Sequence, residues 1–240
     1  MKYFLALWLL IPSLVEAQDS INCKLPLEYN EIFDAKLKGQ VYTAALNIIG
    51  TEFYNESYVP GNVYLENGEV ANNQQLRYNG RIDGLLLNPG GSSLEILLDR
   101  YFIKGFCLQI QSNEKCLPFQ KIKISTELGG DSIDVFAQVL YSGKLSLYVY
   151  RRFSREDNVA QVIQGEAVEK QLYKPSFVYY FKLPNNSILG FKRLRKRNLY
   201  KLFPEKKALI RKTIRENHQR RFRDDDDLTK ITELLNPLFN

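Results

Sequence analysis

Histidine, tryptophan and methionine occur once each in the 240 residues, and cysteine three times. A Ser-His-Asp or Cys-His device needs a histidine beside its nucleophile. The sole His218 lies in the basic run Asn217-His218-Gln219-Arg220-Arg221, which reads as a surface position at a helix end. There is no C-x-x-C and no pair of histidines, so zinc lacks a donor set. H-E-x-x-H, G-x-S-x-G, a G-K-[ST] phosphate loop and the dinucleotide fingerprint are all missing. Gly90-Gly91-Ser92-Ser93 lacks the lysine of a phosphate cradle and reads as a turn. No metal, no cofactor and no catalytic residue is assigned, and the chain is read as a non-enzyme. Carboxylates are the one remaining inventory for hydrolysis. Asp83, Glu95, Asp99, Glu127, Asp131 and Asp134 are available, but no spacing singles out a pair for glycosidase-type chemistry.

Long apolar runs are also scarce. The only one is Tyr3 to Val15, shorter than the ~20 residues that cross a bilayer. It follows Met1-Lys2 and ends at Val15-Glu16-Ala17, an A-x-A-like site. This pattern predicts a cleaved secretory signal over residues 1–17. The mature chain is then expected in the periplasm or outer envelope, or secreted, and not transmembrane. Export permits disulfides. Cys107 and Cys116 are nine positions apart around Ser112-Asn113, which suits a hairpin and a 107–116 bridge. Cys23 is left over, in an N-terminal segment spanning residues 18–37.

The composition is globular: 45% hydrophobic, 12% aromatic and 25% charged, which excludes global disorder. Residues 38–191 are rich in Tyr, Val, Ile and Phe, with strand candidates separated by turn signals. Among these are residues 40–49, 69–78, 84–87, 105–110, 119–125, 133–140, 145–152, 176–183 and 187–191. Asn67-Gly68 is a strong hairpin dipeptide, because a type I′ turn needs positive φ at both central residues. Ser142-Gly143 and Pro184-Asn185-Asn186 punctuate two more hairpins. In Leu145–Tyr150, Leu145, Leu147 and Val149 share one face, and Ser146, Tyr148 and Tyr150 the other. A sheet with one aliphatic face needs a covering layer. The expected fold is therefore mostly β with a helical tail (α+β): an antiparallel sandwich or barrel followed by two or three short helices. Residues 154–172 are polar and irregular and read as a long loop.

The composition shifts at residue 192. Residues 192–240 hold fifteen Lys and Arg against seven Asp and Glu, whereas the rest of the chain holds eighteen against twenty. The net charge of +6 therefore belongs to the tail. Asn198 reads as an N-cap, Pro204 as the start of a second helix, and Asp224–Asp227 as the cap and first turn of a third. Its apolar residues Leu228, Ile231, Leu234, Leu235 and Leu238 recur at helical steps. The aspartates could also suggest calcium, but they lack the spaced ligands, glycine and distal glutamate of a binding loop. Two clusters, Lys192, Arg193, Arg195, Lys196 and Arg197, then Arg220, Arg221 and Arg223, are candidates for contact with an anionic partner. They can equally be solvated helix flanks. Export and the want of an aromatic-laced motif argue against nucleic acid.

Leu76-Arg77-Tyr78-Asn79-Gly80-Arg81-Ile82-Asp83-Gly84-Leu85 resembles the L-R-Y-N-x-x-x-D-x-L segment of a family of uncharacterised exported proteins of Bacteroidetes-type bacteria. Val139–Tyr148 resembles that family's V-L-x-x-G-K-x-x-L-Y segment. Phe177–Tyr180 resembles its late aromatic strand, and Leu199–Pro204 the start of its helical tail. The resemblance implies export and this layout, and no activity. On their own chemistry, Arg77, Tyr78, Asn79 and Asp83 admit two readings. Either Asn79 shapes a turn at Asn79-Gly80, Tyr78 packs, and Asp83 pairs with Arg77 or Arg81 or caps amides, or the four line a ligand site. The function expected is binding or assembly in the envelope, with the basic tail docking on an anionic component or partner protein. The alternatives are a β-barrel holding an apolar or sugar ligand and a carboxylate-based hydrolase.

Overall fold

The computed structural model describes residues 36–44, 48–91, 93–110, 116–125, 131–163, 166–192, 195–217, 222 and 224–239, with backbone alone at 157–169. The expected signal, Cys23, Glu127, Arg193, His218, Arg220, Arg221 and Arg223 lie outside the described residues. The chain is mostly strand followed by three short helices, as its patterning implies. The strands are β1 (Gly39–Val41), β2 (Ile48–Ile49), β3 (Val59–Leu65), β4 (Val70–Asn79), β5 (Gly84–Leu87) and β6 (Ile96–Leu98). There follow β7 (Ile103–Leu108), β8 (Leu117–Ser125), β9 (Ser132–Tyr141), β10 (Ser146–Ile163), β11 (Glu166–Lys182) and β12 (Ile188–Phe191). The helices are α1 (Lys196–Leu202), α2 (Lys207–Glu216) and α3 (Asp225–Leu235).

All twelve strands belong to one sheet, ordered β1-β6-β5-β4-β3-β7-β8-β9-β10-β11-β12, with β2 beside β11. Pairing is antiparallel except for β2 with β11. Among the described residues, neither two facing sheets nor a closed barrel is formed. The sheet is open but curled, and distances require it. β1 lies at one end of the order, and β2 pairs with β11, nine strand intervals from β1. A flat sheet would separate β1 from β11 by about 43 Å. The chain from Val41 to Ile48 spans about 25 Å at most. The curl brings the end of β4 against β10, where the Phe153 amide donates to the Gly80 carbonyl at 3.0 Å. Gly80 is required there because a Cβ would strike the Arg151 carbonyl and the Phe153 ring.

Inside the curl, aromatic rings fill the space. Phe106 and Phe119 stack at 4.7 Å between centroids, and Tyr78 and Phe136 close around them. The other aliphatic face is covered by the tail. Leu145, just before β10, and Leu147 and Val149 within it, with Tyr179, Phe181 and Phe191, pack against Leu199, Phe203, Ile210, Ile214, Leu228, Ile231 and Leu235 of the helical segment. The expected covering layer is therefore the tail itself. Tyr148 turns to the opposite side, among Ile122, Ile124, Val135 and Ala137, as the alternation required.

Several local expectations are corrected. Residues 154–163 and 166–172 form the outer part of two long paired strands, β10 and β11, which run from Ser146↔Lys182 to Ile163↔Glu166 with a register shift between Arg155 and Asn158. This stretch showed no alternation because a two-stranded ribbon need not bury either face. The expected strand over residues 40–49 splits into β1 and β2, since the chain crosses from one end of the sheet to the other. Asn198 lies inside α1, whose cap position is Arg195 with no side-chain hydrogen bond. The second helix begins at Lys207, after a turn following Pro204. The third begins as expected: Asp224 accepts the Asp227 amide at 2.9 Å, and Asp225–Asp227 occupy the first turn. Asn67-Gly68 makes the β3–β4 turn, with Gly68 at φ 87°. At the β4–β5 turn the positive φ falls on Asp83, at 51°, and not on Gly80.

Candidate functional site

The β4–β5 turn gathers the four motif residues, each in a different environment. Alternation along β4 sends Tyr78 into the ring core and Arg77 to the other face. Arg77 lies between the rings of Phe53 and Tyr58, 3.7 and 4.5 Å from their centroids, and pairs with Glu95 at 2.6 Å. A guanidinium can be buried this way because its flat faces stack while its edge donates. Asn79 shapes the turn: its Oδ1 accepts the amides of Arg81 and Ile82, and its Nδ2 donates to the Tyr42 hydroxyl. Beside it, buried Glu52 binds the Arg81 guanidinium and accepts from the Tyr42 hydroxyl.

Asp83 is the centre of a second network. Asp is among the few residues that tolerate the left-handed region its backbone adopts. Its carboxylate accepts from the Tyr78 hydroxyl at 2.6 Å, from Arg100 at 3.0 Å and from the Phe136 amide at 3.2 Å. The partner arginine is thus Arg100, neither Arg77 nor Arg81. Arg100 also donates to the Asp134 carbonyl at 2.5 Å, so one side chain ties the turn to β9. Burial pushes the Asp83 carboxyl up to about 6, against these donors, which favour the ionised form. Burial likewise raises the Tyr78 hydroxyl, and the Asp83 charge adds to the effect. Both carboxylate oxygens accept hydrogen bonds within this network, which ties the turn to β9 and to the ring core.

The basic candidates lie on the helical cap. Lys192, Arg195 and Arg197 are exposed and Lys196 is half-buried, around the start of α1. Alongside them the structure places Lys201, Lys207, Arg211, Lys212 and Arg215, all exposed, which the clusters singled out in the sequence did not include. Helical periodicity explains the display. Ile210 and Ile214 of α2 point into the shared core, so Ala208, Lys212 and Arg215 turn away from it. Leu209 lies on this outer side at 51% exposure, an apolar side chain amid cations. The acids of α1 and α2 and their connection are Glu205 and Glu216, and Lys212 reaches Glu216 at 3.8 Å in a solvated pair.

The cap is pinned by one buried group that the sequence did not disclose. Arg151 of β10 is 5% exposed. It binds Asp225 of α3, donates to Gln138 at 2.8 Å and stacks over Phe177 and Tyr54. Asp225 also accepts from the Tyr179 hydroxyl at 2.8 Å, which with burial raises that tyrosine's pKa. One aspartate of the acidic run is therefore a bolt between cap and sheet. The Cys107–Cys116 disulfide is present, joining β7 to the residue before β8, with Cα atoms 5.6 Å apart.

No protein-family model, curated protein or solved structure matches the chain. Among the described residues, no helix is long and apolar enough to cross a membrane.

Proposed function

We propose that the chain is an exported, non-enzymatic envelope protein whose helical cap docks on an anionic surface bearing phosphate groups. One observation carries this reading. The apolar side of α1–α3 is buried against β10–β12, so the cations of α1 and α2 are held on a fixed outward face. Tethered lysines and arginines on flexible ends are a common solvated feature. Cations fixed on a packed layer cannot spread away from one another, and their summed field is strongest where counter-charges are few. Exposed Leu209 among Lys206, Lys207 and Lys212 favours a lipid surface over an acidic protein, since interfacial helices combine apolar contact with cationic flanks. The disulfide is consistent with an oxidising compartment. The ring-filled interior of the curl gives no support to an internal ligand, and the engaged oxygens of Asp83 give none to hydrolysis.

The test is retention in the envelope fraction at low ionic strength. A chain carrying Arg195→Ala, Arg197→Ala, Arg211→Ala and Arg215→Ala should move to the soluble fraction, while its melting temperature stays near that of the parent. Unchanged retention removes the cap face from the account. Retention lost only after protease treatment of the envelope would assign the face to a partner protein instead.

A further inference from the structure

A second surface lies among different elements, at the β1 end of the sheet. A cleft of about 470 Å³ opens between β1, β6 and the β4–β5 turn. A second, of about 380 Å³, opens beside the β3–β4 turn. Lys38 borders both. Between them stands the 3-10 turn Arg100–Phe102, fixed by Asp99, whose carboxylate accepts the Tyr101 amide at 3.0 Å. This turn holds two rings outward: Tyr101 is 82% exposed and borders the first cleft, and Phe102 is 45% exposed and borders the second. The Lys38 ammonium lies 4.8 Å from the Phe102 ring centre.

We propose that this pair of clefts binds a neutral oligosaccharide, laid across the Tyr101–Phe102 ridge with sugar units on either side. Three features select that class. Ionised groups of both signs line the pair, Lys36, Lys38 and Arg100 beside Asp83, Asp99, Glu66 and Glu69, with no excess of cations. An anionic ligand would gain nothing from such a lining, and a hydrocarbon chain would strand its polar groups. A sugar ring offers hydroxyls that both donate and accept, and a C–H face that packs on an exposed aromatic ring. Each cleft is within the size range of small-ligand sites, and two meeting at one residue suit a chain of sugars better than a single compact molecule. A peptide adding to the sheet edge is disfavoured, because β1 offers only three residues for pairing.

The experiment is affinity electrophoresis of the full mature chain in native gels containing dextran, xylan, galactomannan or mixed-linkage β-glucan, with polygalacturonate as the anionic comparison. At least one neutral polymer should retard the protein. Tyr101→Ala should weaken that retardation about tenfold, the loss expected for one stacking ring, without changing the melting temperature, since the ring is solvent-exposed. The proposal is overturned if no neutral polymer retards the parent chain, or if Tyr101→Ala and Tyr101→Ala/Phe102→Ala are retarded like the parent. It is also overturned if only polygalacturonate acts and neutralising Arg195, Arg197, Arg211 and Arg215 abolishes the effect. That last pattern belongs to the cap face, so the two surfaces fail separately.

Discussion

Asp225→Ala tests the attachment of cap to sheet at its most sensitive point. The substitution leaves Arg151 almost fully buried without its counter-charge. Removing one partner of a buried ion pair costs about 3–5 kcal/mol. Two features reduce that figure. The Asp225 side chain is 29% exposed, so water can approach the vacated position, and Gln138 still accepts from the guanidinium. Tyr179 also loses its acceptor. The net expectation is a loss of about 3 kcal/mol, or roughly 6–12 °C in melting temperature for a chain of this size. Urea denaturation followed by circular dichroism reads it directly. Exposed Asp226 lies in the same first turn, so Asp226→Ala controls for helix-dipole effects and should cost about 0.5 kcal/mol. Adding Arg151→Met to Asp225→Ala should recover part of the loss, because an apolar side chain removes the stranded charge. If Asp225→Ala costs no more than Asp226→Ala, the bolt is not structural and the cap is held by apolar packing alone.

Other perturbations give distinct signatures. Asp83 holds its proton more tightly folded than unfolded, so its contribution favours folding below pH 4 and is lost as pH rises through about 6. Between pH 4 and 7 the unfolding free energy of the parent should fall by about 2.4 kcal/mol relative to Asp83→Asn; parallel pH profiles would refute this. Gly80→Ala should destabilise by about 3 kcal/mol or more, or give insoluble protein, because the new methyl meets the Arg151 carbonyl; a melting temperature within 2 °C of the parent, roughly 1 kcal/mol, would contradict the close approach of β4 to β10. Cys107→Ser/Cys116→Ser should lower stability by about 2.5 kcal/mol, the chain-entropy value for so short a loop, checked by chemical denaturation with the parent kept oxidised.

What could be read in the sequence was local. Asn67-Gly68 announced its hairpin because the turn chemistry lies in adjacent residues. The Leu145, Leu147 and Val149 stripe announced a buried face because period-2 alternation needs only one strand. The same stripe implied a covering layer, and the apolar steps of Leu228, Ile231 and Leu235 implied a helix with a face to bury. That each is the other's partner is a long-range fact with no local mark. The β10–β11 ribbon was hidden for the opposite reason: a ribbon paired mainly with itself does not need an apolar stripe. Strand order was also illegible, since β3 pairs with β7 and β1 with β6 across intervening hairpins. Of the motif residues, Asn79 could be assigned to its turn from its neighbours alone. The partner of Asp83 could not, because Arg100 is seventeen residues away and reaches it only once the sheet curls. Arg151 and Asp225, 74 residues apart, show the same limit. The basic face was half visible: the clusters marked the charge, but only the packing of Ile210 and Ile214 shows which cations of α2 face outward.

The most direct test of the central proposal is partition of the chain lacking residues 1–17 onto vesicles of phosphatidylglycerol and phosphatidylcholine against phosphatidylcholine alone, across a salt series. Each cation near an anionic bilayer contributes about 1 kcal/mol at low salt. Binding should therefore require the anionic lipid, weaken steeply as ionic strength rises, and fall by roughly two to three powers of ten when Arg195, Arg197, Arg211 and Arg215 are neutralised. Equal binding to both vesicles, or binding indifferent to salt and to those four substitutions, would contradict an electrostatic cap and leave its charge as a solvated surface.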